Sequence, residues 1–383
     1  MNQRELGELR RRFRPEKSAI SRVYGCYVNS SREIIAYIDQ SLGLMPQEEA
    51  EKYLGLLKKA LSGTLGRNLI DIVFSTQQVA DSEEHRLLSA LRTSELKDAE
   101  ARDAFYQQVT GSLDMGENNY LILLGADAYD VPHRGKDGEV DRDACEEVFR
   151  YFVCCVCPVK DGTPELGYFH GENEFHISME KQIVGQPELG FLFPAFNDRS
   201  TDLHSTLYYS KDSDDLHDAF IEQMLGCPLP LPAGYQKESF QTIIEETLGD
   251  ACDYETVKTI HENLSELIEE HKDEPEPLVL DKYQVRNLLE HSGIEEEQLA
   301  TFDQNFDETA GEKASIYASN IANTRAFEVK TPDVIIKVNP DRTDLIETRE
   351  IDGRQCLVIA IDGGVEVNGI AVTPGAAAHE EEE

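Results

Sequence analysis

The sequence predicts an α+β fold: a central antiparallel or mixed sheet with flanking helices, an acidic helical region and a small C-terminal β unit. Residues 118–132 and 148–160 are long apolar stretches, and the second is almost uninterrupted, as in a strand buried on both faces. Polar turns at 133–143 and 171–174 let neighbouring strands run antiparallel. Before these, the predicted order strand, strand, helix, strand differs from the regular alternation of an α/β protein.

The chain has 383 residues, which is more than one ordinary core, so we expect several units. Three prolines in the sequence PLPLPAG mark the end of the first unit. The expected units are an α+β body at 1–230, an acidic helical region at 236–312, a small β unit at 326–373 and a disordered acidic tail at 374–383. The tail has no large apolar side chains with which to build a core.

An N-terminal helix is predicted at 3–13, where a proline follows and ends it. Leu6, Leu9 and Phe13 lie along one side at the helical period, and arginines cover the rest. Seven basic and three acidic residues give 1–22 a net charge of +4. We expect this helix to dock by its apolar side on the acidic helical region, or on that region of a second copy.

The other elements of the body follow from caps, turns and periodicity. We expect two strands within 20–40 joined at 29–31, a helix at 47–61, a strand at 69–75, a helix from Ser82, and a helix at 98–109 that Gly111 stops. The segments 164–169 and 187–192 both begin Pro-Glu-Leu-Gly and continue with apolar residues. This likeness predicts two strands used in similar ways, unless it arises by chance.

The region from 236 to 312 contains 22 acidic and 5 basic residues. Its helices are expected at 237–248, 254–271, 282–291 and 295–308. In the helix at 254–271, apolar residues recur at the helical period, so one side packs and the acidic side is solvated, which serves solubility. The strands of 327–372 alternate well and are expected to turn at Asp352-Gly353, at 362–364 and at Asn368-Gly369.

The charge of the whole chain limits its partners. A formal net charge of −38 repels nucleic acid and anionic membranes over most of the surface. No stretch approaches the ~18 apolar residues of a membrane span, and the first residues lack the apolar core of a signal peptide. The 8 cysteines have no regular spacing and lie mostly in apolar patterns, as expected of reduced thiols. We therefore expect a cytoplasmic protein without a membrane partner.

The best candidate for chemistry is a set of two imidazoles and two carboxylates at alternate positions, His170, Glu172, Glu174 and His176. A spacing of two places such residues on one side of an extended chain, and the set suits a divalent metal such as zinc or manganese. Gly171 and Asn173 are turn formers, however, and favour an exposed hairpin tip where only the two histidines face each other. We favour the exposed tip and expect no cofactor, with a divalent metal as the alternative.

Cysteines form a second set, in the apolar stretch 148–160. Cys155 and Cys157 share one face of the predicted strand and Cys154 lies on the other. The three thiols therefore do not easily converge on one ion, and we interpret them as small core residues.

Two polar segments remain. Acidic residues at alternate positions imitate the start of a calcium loop at Asp137, Glu139, Asp141 and Asp143. Arg142 and Val148 stand where such a loop needs glycine and glutamate, which favours an acidic surface loop. The segment 197–202, followed by His204, is polar at the end of a strand and either presents a site or caps a helix at 200–202.

Several long strings resemble one bacterial family. They are LRRRFRPEKS, GCYVN, LSGTLGRNLIDI, ELGFLFPAFNDRST and KTPDVIIKVNPDRTDLIETR. Together they resemble the family of domain of unknown function 4317 (DUF4317), over nearly the whole chain up to the acidic tail. The resemblance implies a bacterial cytosolic protein of roughly this chain length. It implies no activity, ligand or catalytic residue.

The sequence lacks the common nucleotide-binding, zincin and esterase motifs. We therefore expect a non-catalytic interaction or regulatory protein with an unknown protein partner or self-association. The alternative is a metal-dependent hydrolase or nuclease that uses the region of His170 and His176. Nucleic acid is expected only if the N-terminal arginines hold a polyanion, and they are the predicted polyanion or partner contact: Arg10, Arg11, Arg12 and Arg14.

Overall fold

The computed structural model describes residues 1–134, 140–162, 165–177, 182–312, 314–322, 326–361 and 363–372, without the side chains of 133–134, 140–146 and 341. The predicted tail at 374–383 lies outside the described residues. Two compact units are present: unit 1 comprises Met1–Ser239 and Asp273–Leu278, and unit 2 comprises Phe240–Lys272 and Val279–Glu383.

Unit 1 is built on an antiparallel sheet. Its described residues form the strands β1 (Arg22–Val28), β2 (Ile34–Ser41), β3 (Leu69–Val73), β4 (Asn119–Arg134), β5 (Val140–Asp161), β6 (Leu166–Phe169), β7 (Glu174–Ile177), β8 (Gln182–Val184), β9 (Leu189–Phe193), β10 (Ala195–Asn197), β11 (Ser200–Asp202) and β12 (Ser205–Ser210). Eight of these strands form the main sheet in the order β2-β1-β4-β5-β9-β12-β3, with β8 also beside β5. Every pairing is antiparallel, so the predicted α+β class is confirmed and the antiparallel alternative holds.

Strands β4 and β5 lie at the centre, as the two long apolar stretches predicted. Residues 151–159 of β5 are all buried, because helices cover both faces of the sheet there. The strands approach so closely that a side chain on Gly190 of β9 would meet the carbonyl oxygen of Cys154 at 2.5 Å. Glycine is therefore required at this position for the sheet to form.

Unit 1 carries helices on both sheet faces. They are α1 (Gln3–Arg10), α2 (Gln47–Lys59), α3 (Thr76–Asp81), α4 (Glu83–Thr93), α5 (Ala99–Ser112), α6 (Asp218–Phe220) and the start of α7 (Ala233–Leu248), whose residues from Phe240 belong to unit 2. The apolar sides of α1 and α2 join one core, and those of α4, α5 and α6 join the core on the opposite face. The predicted N-terminal helix is confirmed, with its last turn as a 3₁₀ helix at Arg11–Phe13.

Three local predictions about helices and strands were wrong or incomplete. The short helix α3 was missed, although Ser75 and Gln78 form a capping box at its start. Gly111 does not stop α5, which continues to Ser112. Of the two Pro-Glu-Leu-Gly segments, the first leads into the exposed β6 and the second into the fully buried β9, so the two strands are not used alike.

The two remaining strand pairs of unit 1 are short hairpins. β6 pairs with β7 around the turn predicted at 171–174, and β10 pairs with β11. The β10–β11 loop consists of Asp198 and Arg199, both with positive φ as a two-residue hairpin requires, so the predicted helix cap at 200–202 was wrong. The loop expected at 133–143 is shorter than predicted because β4 extends to Arg134 and β5 begins at Val140.

Unit 2 contains the acidic helices and the C-terminal hairpins. Its described residues form α8 (Tyr254–Glu270), α9 (Lys282–His291), α10 (Phe302–Thr309) and α11 (Ala318–Ile321), and the strands β13 (Val279–Leu280), β14 (Ile316–Tyr317), β15 (Phe327–Lys330), β16 (Ile335–Val338), β17 (Ile346–Ile351), β18 (Arg354–Ile359), β19 (Val365–Val367) and β20 (Ile370–Val372). The turns predicted at Asp352-Gly353 and Asn368-Gly369 are confirmed, while Asp362 lies outside the described residues. Among the described residues of β15–β20, Ile346 alone is buried.

None of the helices in the described ranges combines the length and the apolar character needed to cross a membrane.

Candidate functional site

The hairpin β6–β7 is an exposed arm of unit 1. None of the residues from 165 to 177 is buried, and the two strands form a sheet of their own. Leu166 lies opposite Ile177, and Tyr168 lies opposite Phe175. Opposite residues of an antiparallel pair point to the same side, so these four side chains form one apolar surface, called here the arm face. They are exposed by 71% (Leu166), 67% (Ile177), 43% (Tyr168) and 65% (Phe175).

The tip of the arm holds the residues predicted as a metal site. His176 Nε2 lies 2.6 Å from Glu172 Oε2, and the ring of His170 packs edge-on against Tyr168 with centroids 4.9 Å apart. The structure thus pairs one histidine with one carboxylate and places the other histidine on an aromatic ring. Within the part of the chain that the structure describes, no group of three or more His, Cys, Asp or Glu side chains could hold a metal ion. His170, Glu172 and Glu174 are exposed, and His176 is half-buried.

The N-terminal helix docks by its apolar side on the main sheet. Leu6 and Leu9 are 0% exposed and Phe13 is 4% exposed, and all three belong to the core shared with α2. The predicted docking side is confirmed, but the predicted docking surface is wrong, because the apolar side packs into the core that unit 1 builds on its main sheet. One main-chain bond, from Gln3 N–H to the carbonyl oxygen of Pro275, joins the helix to the predicted acidic region.

The predicted basic patch divides into internal and exposed residues. Arg10 donates from Nε to the carbonyl oxygen of Leu61 at 2.6 Å, which satisfies a carbonyl after the end of α2. Arg12 forms a bidentate ion pair with Asp127, and Arg11 and Arg14 are exposed. Two of the four arginines predicted to contact a polyanion or partner, Arg10 and Arg12, therefore bond to groups of the same chain.

The Arg12–Asp127 pair is the centre of a buried polar network. Its two bonds measure 2.6 and 2.9 Å, and Tyr151 Oη donates to the same carboxylate at 2.7 Å. Burial, helped by the charge of Asp127, raises the pKa of Tyr151 well above its ordinary value, so this hydroxyl remains a donor. The guanidinium of Arg12 also lies 4.5 Å above the ring of Tyr129, whose hydroxyl donates to Glu8.

The polar segment 197–202 forms the turn that locks α1 in place. Arg199 Nη1 donates to Glu8 Oε2 at 2.6 Å, and Arg199 N–H donates to Glu5 Oε1 at 3.0 Å. Glu147 accepts from Ser200 and from Thr201, and these bonds lower the pKa of Glu147, the bond from the Thr201 side chain most. The segment therefore connects α1 to β5.

An open groove of about 940 Å³ lies between α2 and the main sheet. Most of its lining surface is apolar and comes from side chains such as Ile38, Leu56, Leu121, Val159 and Val184, while Glu49, Glu51 and Lys52 of α2 also line it. Ligand clefts typically measure about 300–1,000 Å³ and have such apolar linings. The residues come from β1, β2, α2, β4, β5 and β8, so no local pattern in the sequence could have predicted the groove.

One wall of the groove is held by hydrogen bonds. Tyr27 Oη donates to Gln182 Oε1 at 2.6 Å, and Asn119 Nδ2 donates to Tyr27 Oη at 2.8 Å. These bonds connect β1, β4 and β8. The groove is thus shaped by fixed groups and not only by apolar packing.

The cysteines of β5 are core residues, as expected. Cys155 and Cys157 lie on one face with their sulfurs 3.9 Å apart, and Cys154 lies in the core of the other face. Burial raises the pKa of Cys154 and Cys155 well above the ordinary value, so both stay neutral thiols. Of the predicted acidic loop, Asp137 and Glu139 lie outside the described residues.

A family model described as Domain of unknown function (DUF4317) matches residues 1–370. No curated protein matches the chain.

Proposed function

We propose that this chain, which belongs to the DUF4317 family, is a non-catalytic interaction or regulatory protein of the bacterial cytoplasm that binds a protein partner through the arm face. The arm face is the observation that supports this function most. It combines four large apolar side chains on one side of a hairpin in which no described residue is buried.

The exposure of this hairpin favours binding to a partner. An isolated two-stranded hairpin is marginally stable in water, and contiguous exposed apolar patches mark interaction surfaces on soluble proteins. Tyr168 and Phe175 already pack against each other, with ring centroids 5.0 Å apart. A rigid aromatic pair flanked by Leu166 and Ile177 has the composition of an interface centre.

The test compares an arm variant with a matched control in cells. Phe175→Asp places a charge within the arm face. The control, Tyr283→Asp, changes a side chain of similar exposure, 70%, on α9 of unit 2. We expect affinity capture with the tagged wild type and Tyr283→Asp to retain a partner protein in fixed proportion. Phe175→Asp should lose it, because a buried carboxylate on the interface is costly. Equal retention by all three proteins would defeat the proposal.

The contact between His176 and Glu172 motivates one alternative, a metal-dependent hydrolase or nuclease using His170 and His176. A divalent ion would bind imidazole nitrogen at about 2.0–2.1 Å and would supply an activated water. Elemental analysis of the purified protein decides between the two. Stoichiometric zinc or manganese with turnover of a phosphodiester, both lost in His176→Ala, would replace the interaction function with this one.

A further inference from the structure

The arm face and the groove are neighbours along the chain. Gln182 and Val184 of β8, the strand that follows the arm, line the groove. Unit 1 therefore carries an exposed apolar surface and a recessed apolar surface, and β8 links the arm to one wall of the groove. Neither is filled by the described part of the same chain, since the arm face is exposed and the groove is open.

We propose that the groove takes the arm of a second copy, and that two copies exchange arms about a two-fold axis. The proposal rests on the proposed function and names the partner as this same chain. Each protomer then inserts Leu166, Tyr168, Phe175 and Ile177 into the groove of the other and receives the same four side chains in return.

The areas involved favour an exchange over simpler contacts. An aromatic side chain buries about 150–250 Å², so the exposed parts of Tyr168 and Phe175 offer roughly 200 Å². Leu166 and Ile177 are exposed to a similar extent and offer roughly as much again. A standard interface buries about 800 Å² per partner, so two arms packed face to face would reach only about half of it. An exchange adds the groove of each copy and therefore buries more of each partner than two arms alone.

The symmetry of the exchange also favours another copy of this chain as the partner. A contact between two different surfaces, repeated head to tail, builds an open chain unless a rotation closes it. Because one unit carries both the arm and the groove, a single two-fold axis can satisfy both at once and leave no free arm or groove. A closed dimer results and growth into filaments stops.

Two variants of the full chain separate the surfaces. Gly55 lies on the exposed side of α2 and lines the groove, and a Cβ there would meet no atom within 4 Å. Gly55→Arg therefore blocks the groove without strain in the helix, since glycine is a poor helix former. Gly111→Arg is the matched control, because Gly111 is also exposed, helical and without a neighbour within 4 Å, and lies on α5. Phe175→Asp places a charge within the arm face and leaves the groove unchanged.

Sedimentation velocity of the purified chain over a range of concentrations measures the strength of dimerisation. We expect wild type and Gly111→Arg to dimerise, and both Gly55→Arg and Phe175→Asp to weaken dimerisation at least about tenfold, the loss of one buried side chain or more. An equimolar mixture of Gly55→Arg and Phe175→Asp should recover part of the association, because a mixed dimer keeps one intact arm and one intact groove.

Two outcomes would overturn the exchange. If Gly55→Arg dimerises like wild type, the groove is not the receptor. If wild type remains a monomer at every accessible concentration, the partner is not a second copy. In either case capture of another protein that depends on Phe175 would leave the proposed function standing, whereas loss of that capture as well would remove both.

Discussion

Replacing Arg12 with alanine should destabilise unit 1 far more than replacing its neighbour Arg11. The carboxylate of Asp127 is 1% exposed and the side chain of Arg12 is 17% exposed. Removing one partner of a buried ion pair costs about 3–5 kcal/mol, because the other charge stays buried without compensation. In Arg12→Ala, Tyr151 still donates to Asp127, so we expect the loss of unfolding free energy to lie at the lower end of this range, about 3 kcal/mol. Arg11 is exposed, so Arg11→Ala should change the free energy of unfolding by at most about 0.5 kcal/mol.

Thermal unfolding followed by circular dichroism measures the difference. For a domain of about 150–250 residues, 1 kcal/mol corresponds to about 2–4 °C in Tm, so Arg12→Ala should lower Tm by about 6–12 °C. The loss should persist in 1 M salt, because buried pairs are screened much less than exposed ones. Equal Tm values for Arg12→Ala and Arg11→Ala would refute the buried pair. Salt-sensitive binding of short DNA that Arg12→Ala abolishes would instead assign the arginine to a polyanion.

Three further predictions concern the sheet, the thiols and acid stability. Gly190→Ala should cost several kcal/mol in chemical denaturation, since its Cβ would lie 2.5 Å from a main-chain oxygen, whereas Gly43→Ala, with no atom within 4 Å, should be nearly neutral. In native protein, iodoacetamide should modify the half-buried Cys252 and Cys356 before Cys26 and Cys227, because burial raises the pKa of Cys26 to about 12 and of Cys227 to about 11, and peptide mass mapping will show the order. The pKa of Glu147 is lowered, mainly by the bond from Thr201, so its stabilisation is complete above the ordinary value of 4.5 and is lost as the pH falls through the folded value. Glu147→Gln should therefore reduce stability at pH 7 and make the urea midpoint less sensitive to acid; an unchanged acid dependence would contradict the assignment.

The elements that the sequence predicted best are those with local signals. The helix at 3–13, the strands β4 and β5 and the turn at Asp352-Gly353 each follow from caps, periodicity or turn residues within a few positions. The two Pro-Glu-Leu-Gly segments show that such local signals do not predict burial. The same local pattern leads to a buried strand in one case and an exposed arm in the other, because neighbouring strands and not the segment itself decide its burial.

The candidate site was only partly predictable for the same reason. Leu166 and Tyr168 stand at alternate positions, as do Phe175 and Ile177, which indicates a shared side of each strand but does not indicate that this side is exposed. The Arg12–Asp127 pair joins residues 115 positions apart, and the groove gathers side chains from six elements. Such contacts depend on the assembled sheet and leave no spacing in the sequence that would identify them.

Photo-crosslinking in growing cells tests most directly whether protein covers the arm face. The photoreactive residue p-benzoylphenylalanine replaces Phe175 in one strain and Tyr283 in another, at positions 65% and 70% exposed. We expect a discrete protein adduct from position 175 that is absent from position 283, and an adduct made of two 43.1 kDa chains if the arms exchange. Irradiation that yields no adduct at position 175, or the same adducts at both positions, would contradict this expectation.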